Sequence, residues 1–271
     1  MRQVSEIISG RPRRIRSKAA DFVANLVPVW VFRGMMKYKF INFGVETTNI
    51  CNANCTFCGY RFMKRAKTVM KWDLYEDAIR KFVAAGGGPL NFTPTVGDPL
   101  VDKLLVEKIE FANRYSLITG TFLYTNGILL HRFSTDRLLK SGLRRLAIST
   151  FIGSSEGYSL YYGRDKYSQV LENILKVSKR NRELHYPVRI TLHLRVAGDM
   201  ESWRKTKAYR DIAANIGEEN IDYLETYDAW SGLIDKADIP SGTELETAIP
   251  LEEKQRDPCF ELYRRVHVLA D

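Results

Sequence analysis

Residues 39–58 read Lys39-Phe-Ile-Asn-Phe-Gly-Val-Glu46-Thr-Thr-Asn-Ile-Cys51-Asn-Ala-Asn-Cys55-Thr-Phe-Cys58, a β-rich run that leads directly into three cysteines. From that run onward, short segments rich in Ile, Val, Phe, Tyr and Thr alternate with longer segments of helical period. The expected strands are Lys39 to Glu46, Leu90 to Thr95, Gly120 to Thr125, Arg145 to Thr150, Val188 to Val196 and Asn220 to Thr226. Such alternation is the pattern of βα units around a parallel sheet. Asp73-Leu74-Tyr75-Glu76 predicts a helix start with Asp73 at the N-cap; Ala78, Phe82 and Ala85 share one face, and Gly86-Gly87-Gly88 end the helix. Further helices are expected over 101–114, 135–140, 167–184 and 200–216, the last closed by Gly217. The fold class is therefore α/β, a parallel sheet curled into a partial (β/α)6 barrel, whose ligands gather on the loops at the carboxyl ends of the strands. The cysteines occupy the first of those loops.

The rest of the composition bounds the function. With 45% hydrophobic and 27% charged residues among 271, the chain is globular, and collagen-like, coiled-coil and wholly disordered readings fall away. The longest apolar run, Phe22 to Phe32, is interrupted by Asn25 and Pro28 and falls short of the roughly 20 residues that span a bilayer. Arg11, Arg13, Arg14 and Arg16 precede that run without a small-residue cleavage site, so the expected compartment is the cytoplasm. Residues 1–39 hold nine basic and two acidic side chains, which accounts for seven of the nine net positive charges. The nearly balanced remainder argues against a nucleic-acid-binding core. It leaves a cationic arm that packs on the domain or touches an anionic surface.

Disulfides are disfavoured in a cytosolic chain and three close thiols cannot all pair with one another, so thiolate ligation of a metal is the natural reading. A structural zinc wants four closed ligands, and the neighbourhood offers no fourth Cys and no His before His131. Iron–sulfur clusters are normally held by four Cys, so three thiolates suit a [4Fe-4S] cluster with one iron left for a cofactor or substrate. The spacing CxxxCxxC in the loop after the first strand, with an aromatic before the third Cys, resembles the radical S-adenosylmethionine (SAM) superfamily. The resemblance implies that Cys51, Cys55 and Cys58 hold the cluster. It also implies that SAM binds the open iron and is reductively cleaved to methionine and a 5′-deoxyadenosyl radical.

The same resemblance assigns roles to other loop residues. Phe57 matches the residue beside the adenine of SAM, and Tyr60 flanks it. Thr95-Val96-Gly97-Asp98-Pro99 resembles the Gly-Gly-Glu segment that receives the SAM ammonium, with Val96 and Asp98 in place of Gly and Glu; Asp98 equally suits a local helix cap. Asn126, within Thr125-Asn126-Gly127, and Ser149 end the third and fourth strands where the family places polar groups near the ribose and carboxylate. Arg195, at the end of the fifth strand, offers a bidentate fork to the SAM carboxylate or is a solvated strand-end arginine. His193 alternates with Ile190, Leu192 and Leu194 and is expected as a hydrogen-bonded histidine on the inward face.

Three parts are expected: a basic arm over 1–38, a core over 39–226, and a connector over 227–271. Asp257-Pro258-Cys259-Phe260 and the β-like run through Tyr263, Val266, Val268 and Leu269 resemble the opening of a SPASM extension, an auxiliary-cluster module, without its further cysteines. The expected partners are a one-electron reductant of flavodoxin or ferredoxin type and a substrate that is a peptide or a carbohydrate or cell-envelope intermediate, with no nucleic acid. The rival is a non-catalytic iron–sulfur or zinc protein with a structural or redox-sensing role.

Overall fold

The structure, a computed structural model, describes residues 42–195, 200–246 and 265–271. Six strands, β1 (Asn42–Val45), β2 (Gly88–Asn91), β3 (Ile118–Thr125), β4 (Leu143–Thr150), β5 (Arg189–Arg195) and β6 (Ile221–Leu224), pair in parallel, each beside its predecessor in the chain. Parallel neighbours joined by right-handed crossovers that always step the same way place the intervening helices on one face. The sheet then curls with its other face concave, which is the partial barrel expected from the sequence.

The helices are α1 (Trp72–Ala84), α2 (Leu105–Ala112), α3 (Thr135–Lys140), α4 (Ser155–Tyr162), α5 (Tyr167–Glu183), α6 (Met200–Arg204) and α7 (Lys207–Ile216). Strand alternation sorts the two faces. Leu146 and Ile148 of β4 and Ile190, Leu192 and Leu194 of β5 join the hydrophobic core, whereas Arg145, Ser149, Thr191, His193 and Arg195 point the other way. On α1 the buried positions Tyr75, Ala78, Ile79 and Phe82 recur at helical spacing, and Phe82 stacks on Phe43 of β1 at 4.1 Å. Under this layer lies a buried ion pair. Lys108 of α2 is fully inaccessible and donates from Nζ to Asp102 Oδ2 at 2.7 Å and to the Met70 carbonyl at 2.9 Å. Asp102 Oδ1 accepts from the Leu104 N–H at 2.9 Å.

Several boundaries differ from the sequence reading. α1 begins at Trp72, so Asp73 lies inside its first turn and Lys71 is the cap residue; Glu76 bonds the Trp72 indole and Arg80 instead of the backbone. The second strand ends at Asn91, because Asn91 Oδ1 accepts from the Thr93 N–H and turns the chain. The helix expected from residue 101 starts at Leu105, after a short 3-10 turn over Pro99–Val101. The segment 200–216 is two helices, because the Thr206 hydroxyl accepts from the Tyr209 N–H and starts a new one. β6 stops at Leu224; Thr226–Asp228 (β7) pairs instead with Glu244–Glu246 (β8), giving order to a stretch expected to be irregular.

The largest addition is a seventh strand. Arg265–Val268 (β9) lies parallel to β1, with Asn42 opposite Arg265 and Val45 opposite Val268. The β-like run near the C-terminus therefore completes the sheet edge. The contact is reinforced from Glu46, which is fully buried, accepts from the Ala270 N–H at 3.2 Å and from Arg65 at 2.8 Å, while Arg65 also bonds Asp271. Gly44 is required here, since a Cβ would overlap the His267 ring that lies across it. The basic arm, residues 39–41 of the first expected strand and Cys259 lie outside the described residues. Among those described, no helix is long and apolar enough to cross a membrane.

Candidate functional site

The three cysteines sit on an excursion between β1 and α1 that is pinned at its base. Thr48 bridges Val69 in antiparallel fashion, the Met70 N–H donates to the Thr47 carbonyl at 2.8 Å, and Asn49 bonds both the Ala66 carbonyl and the Thr68 N–H at 2.8 Å. The far side of the excursion is clipped to α4: the Asn54 N–H reaches the Tyr162 carbonyl at 3.0 Å and the Thr56 N–H reaches the Tyr161 carbonyl at 2.9 Å. Thus a helix that the sequence does not announce fixes the cysteine loop at the carboxyl end of the sheet.

All three thiols are free and half-buried. Burial, reinforced by the Asp98 charge, pushes the Cys51 thiol up to about 12. Burial and the neighbouring Cys58 and Cys51 push Cys55 well above the usual thiol range, and burial raises Cys58. Such thiols are inert by themselves; a bound metal would hold them as thiolates by displacing their protons. Backbone N–H groups already face the sulfurs: Ala53 donates to Cys51 Sγ and Tyr60 to Cys58 Sγ, both at 3.5 Å.

The donor set fits a polynuclear cluster better than one ion. With Zn–S bonds of about 2.3 Å a single zinc requires its ligands to converge on one point. Among the described residues no three metal-ligating side chains do so. A cubane offers a separate iron to each thiolate, which three spaced sulfurs can meet. Among the described residues, buried polar atoms around the loop are also without hydrogen-bond partners, namely Asn52 Nδ2, Thr56 Oγ1 and the Tyr158 and Tyr227 hydroxyls. Unpaired buried groups are costly, and this concentration marks a site built for something more than the chain itself.

The neighbouring strand ends converge on the loop. Gly97 (φ +130°) brings the second loop against the first; a Cβ there would lie 3.0 Å from the Asn49 carbonyl carbon, and the Asp98 N–H donates to the Ile50 carbonyl at 2.9 Å. Asp98 itself is buried. Its carboxylate accepts from the Leu100 N–H at 3.0 Å, the Thr125 hydroxyl at 2.9 Å and the Asn126 N–H at 2.8 Å, and desolvation holds its pKa near 6. Asp98 caps the 3-10 turn and also ties down the third loop. Asn126 Nδ2 then donates to Asn52 Oδ1 at 2.9 Å and faces Cys51 Sγ at 3.9 Å.

The Arg195 guanidinium lies 5.1 Å from the ring centroids of both Phe57 and Tyr227, and its Nε donates to Ser149 Oγ at 3.4 Å. Phe57 is buried edge-on to Tyr162 at 5.5 Å. Tyr60 donates to the Cys51 carbonyl at 3.5 Å, with Lys67 over its ring. Thr95 stands apart from this cluster, exposed and paired through Oγ1 with His267 Nδ1 at 3.1 Å. Sequence reasoning missed Tyr158, Tyr162 and Tyr227, buried tyrosines whose hydroxyls are held protonated by burial first and by the Cys55 charge in addition. Their spacing within a Ser- and Gly-containing helix and a three-residue strand carried no period to read.

Comparison with known proteins places this geometry. Molybdenum cofactor biosynthesis protein 1 of Dictyostelium discoideum is 31% identical over 139 residues, covering 49% of this chain and 22% of that protein. GTP 3′,8-cyclase of Alkaliphilus oremlandii is 29% identical over 133 residues, covering 48% and 41% respectively. The crystal structure of Streptococcus suis SuiB bound to its precursor peptide SuiA shares the fold at 13% identity and a TM-score of 0.54, covering 75% of this chain and 44% of that one. The chain thus spans less than half the length of each. The model of the radical SAM superfamily matches residues 45–208, from the end of β1 through the cysteine loop and β5 into α7, and on that match the chain belongs to the radical SAM superfamily.

Proposed function

We propose that the chain is a radical SAM enzyme that removes a hydrogen atom from an unactivated C–H position of a substrate bound on the concave face of the sheet. The superfamily's cofactors are a [4Fe-4S] cluster and S-adenosylmethionine. When bound, they supply a one-electron cleavage of SAM that yields a 5′-deoxyadenosyl radical. The observation that carries the proposal is the convergence of Cys51, Cys55 and Cys58 with Arg195, Phe57, Gly97 and Asn126 at one end of the barrel.

In this reading the chain's work is binding, orientation and exclusion of water. Cys51, Cys55 and Cys58 would hold three irons, with the Ala53 and Tyr60 N–H groups directed at two of the sulfurs. Arg195, steadied by Ser149 and sandwiched near two aromatic rings, offers a preorganised fork to a carboxylate. Gly97, with no side chain, lets the second loop close onto the backbone of the cysteine loop and so fixes the two loops against each other. Phe57 and Tyr227 keep that corner dry, where a reactive radical is protected from side reactions. An electron donor of flavodoxin or ferredoxin type would supply the reducing equivalent. The names of the relatives span a nucleotide and a precursor peptide.

Anaerobic reconstitution with iron and sulfide, reduction by dithionite and addition of SAM tests the proposal. The expected result is an air-sensitive chromophore and release of 5′-deoxyadenosine, both lost in Cys55→Ala. A full iron complement in Cys55→Ala, or a wild-type cluster that leaves SAM intact, would overturn it.

A further inference from the structure

Below the cysteine end, the concave face carries a second cation that the proposed cofactor site does not use. Arg145 begins level with Arg189 at the amino end of β4 and β5. Its side chain then climbs toward the cysteine end, with Nε on Thr191 Oγ1 at 3.3 Å, Nη2 on His193 Nε2 at 3.3 Å and on the Tyr124 hydroxyl at 3.5 Å. The Tyr124 ring lies 5.7 Å from the guanidinium carbon and 5.1 Å from the His193 ring. Three strands therefore cooperate to hold one guanidinium in one orientation.

None of these partners is an anion. His193 also takes a bond from Thr191 at 3.1 Å on Nε2 and meets Asp222 through Nδ1 at 3.4 Å; with Asp222 accepting from Nδ1–H, Nε2 is the acceptor that receives Arg145. Burial, together with Arg145 and Arg195, outweighs Asp222 and lowers the His193 pKa to about 4, so the ring is neutral beside the guanidinium. Glu46, after the end of β1, is taken by Arg65. Among the described residues Arg145 has no carboxylate partner, and its Nη1 makes no hydrogen bond. A half-buried guanidinium that among the described residues is held by neutral groups and keeps Nη1 unengaged is arranged to receive an anion from outside.

We propose that Arg145, with Tyr124 and Thr191 beside it, is the substrate-anchoring site, and that the substrate carries an anionic oxygen group, a phosphate or a carboxylate. This inference rests on the concave face being the substrate side, as proposed above. It makes Arg145 a specificity residue distinct from Arg195, which stands nearer the cysteine loop.

The test uses the full chain, titrated by calorimetry with inorganic pyrophosphate in one arm and malonate in the other, comparing wild type with Arg145→Gln and Arg145→Lys. Binding to the basic arm is common to all three proteins and cancels. The expected result is that at least one anion binds wild type and that Arg145→Gln weakens it about tenfold or more, with Arg145→Lys intermediate because it keeps charge without the fork. Pyrophosphate alone identifies a phosphoester substrate and malonate alone a carboxylate. Equal affinities in wild type and Arg145→Gln, or no binding of either anion, overturns the inference. If Arg145→Gln does not fold, the Arg145→Lys comparison decides, with unchanged affinity as the refuting result. Absence of SAM cleavage by wild type would defeat the proposed function, whereas the titration reads the anion site independently of it.

Discussion

Lys108→Met is the most demanding test of how the second loop is supported. In the fold the Lys108 ammonium is sealed between the Asp102 carboxylate, the Met70 carbonyl and the Tyr75 ring, whose centroid lies 5.5 Å away. Methionine nearly conserves the volume, so little of the effect comes from a cavity. What remains is the Asp102 carboxylate, 1% exposed, with only the Leu104 N–H among the described residues to satisfy it. Breaking a buried pair from one side costs about 3 to 5 kcal/mol, because the surviving charge keeps its desolvation penalty without a counter-ion. For a domain of this size each kcal/mol moves the midpoint by about 2 to 4 °C, so thermal unfolding should shift down by roughly 6 to 20 °C. Adding Asp102→Asn removes the stranded charge while keeping an oxygen for Leu104, and most of the loss should return. Urea unfolding of wild type, both single variants and the double variant gives the coupling directly. A cost under about 1 kcal/mol for Lys108→Met, or strictly additive variants, would refute the reasoning.

Two further outcomes follow from the site. Gly97→Ala places a Cβ at φ +130° and 3.0 Å from the Asn49 carbonyl carbon, so both stability and SAM affinity should fall; spectroscopic titration of the reconstituted variant with unchanged affinity would contradict this. The depressed His193 pKa makes stability fall as pH drops from the ordinary value of 6.5 toward 4, because the unfolded chain takes up a proton that the folded chain refuses. Melting curves across that window should be flatter for His193→Gln than for wild type, and a steeper variant profile would reverse the sign of the argument.

Much of the sheet was legible in the residues because burial on one face and polarity on the other impose a period of two. In β5, Ile190, Leu192 and Leu194 separate cleanly from Thr191, His193 and Arg195, and that alternation alone marks the inward set. The cysteine loop was legible for a different reason, since metal ligation imposes spacing on the chain itself. α4 was not, because Ser155, Gly157 and Ser159 dilute its apolar face and its tyrosines are held by stacking, Tyr158 on Tyr162 at 4.7 Å. Asp98 was visible as a choice between cap and cofactor contact. Its ties to Thr125 and Asn126 required knowing that β2 and β3 are neighbours. Arg145 carried no signal, because an inward arginine on a strand resembles a solvated one until its three partners are assembled around it.

The position of β9 has a consequence for the order in which the molecule comes apart. Every other pairing in the main sheet joins a strand to its successor, so each closes a short crossover. β9 instead reaches back to the first strand, and the Ala270 to Glu46 bond joins residues 224 positions apart. Contacts of that separation add slowly, after the rest of the sheet exists to receive them, and a strand that among the described residues has one neighbour is the cheapest to detach. Opening at this edge need not disturb β2 to β6. The Glu46 amide, which donates to the Val268 carbonyl at 2.9 Å, is the natural reporter of that opening. Its hydrogen exchange would register detachment of β9 while the amides of β4 and β5 still report only global unfolding.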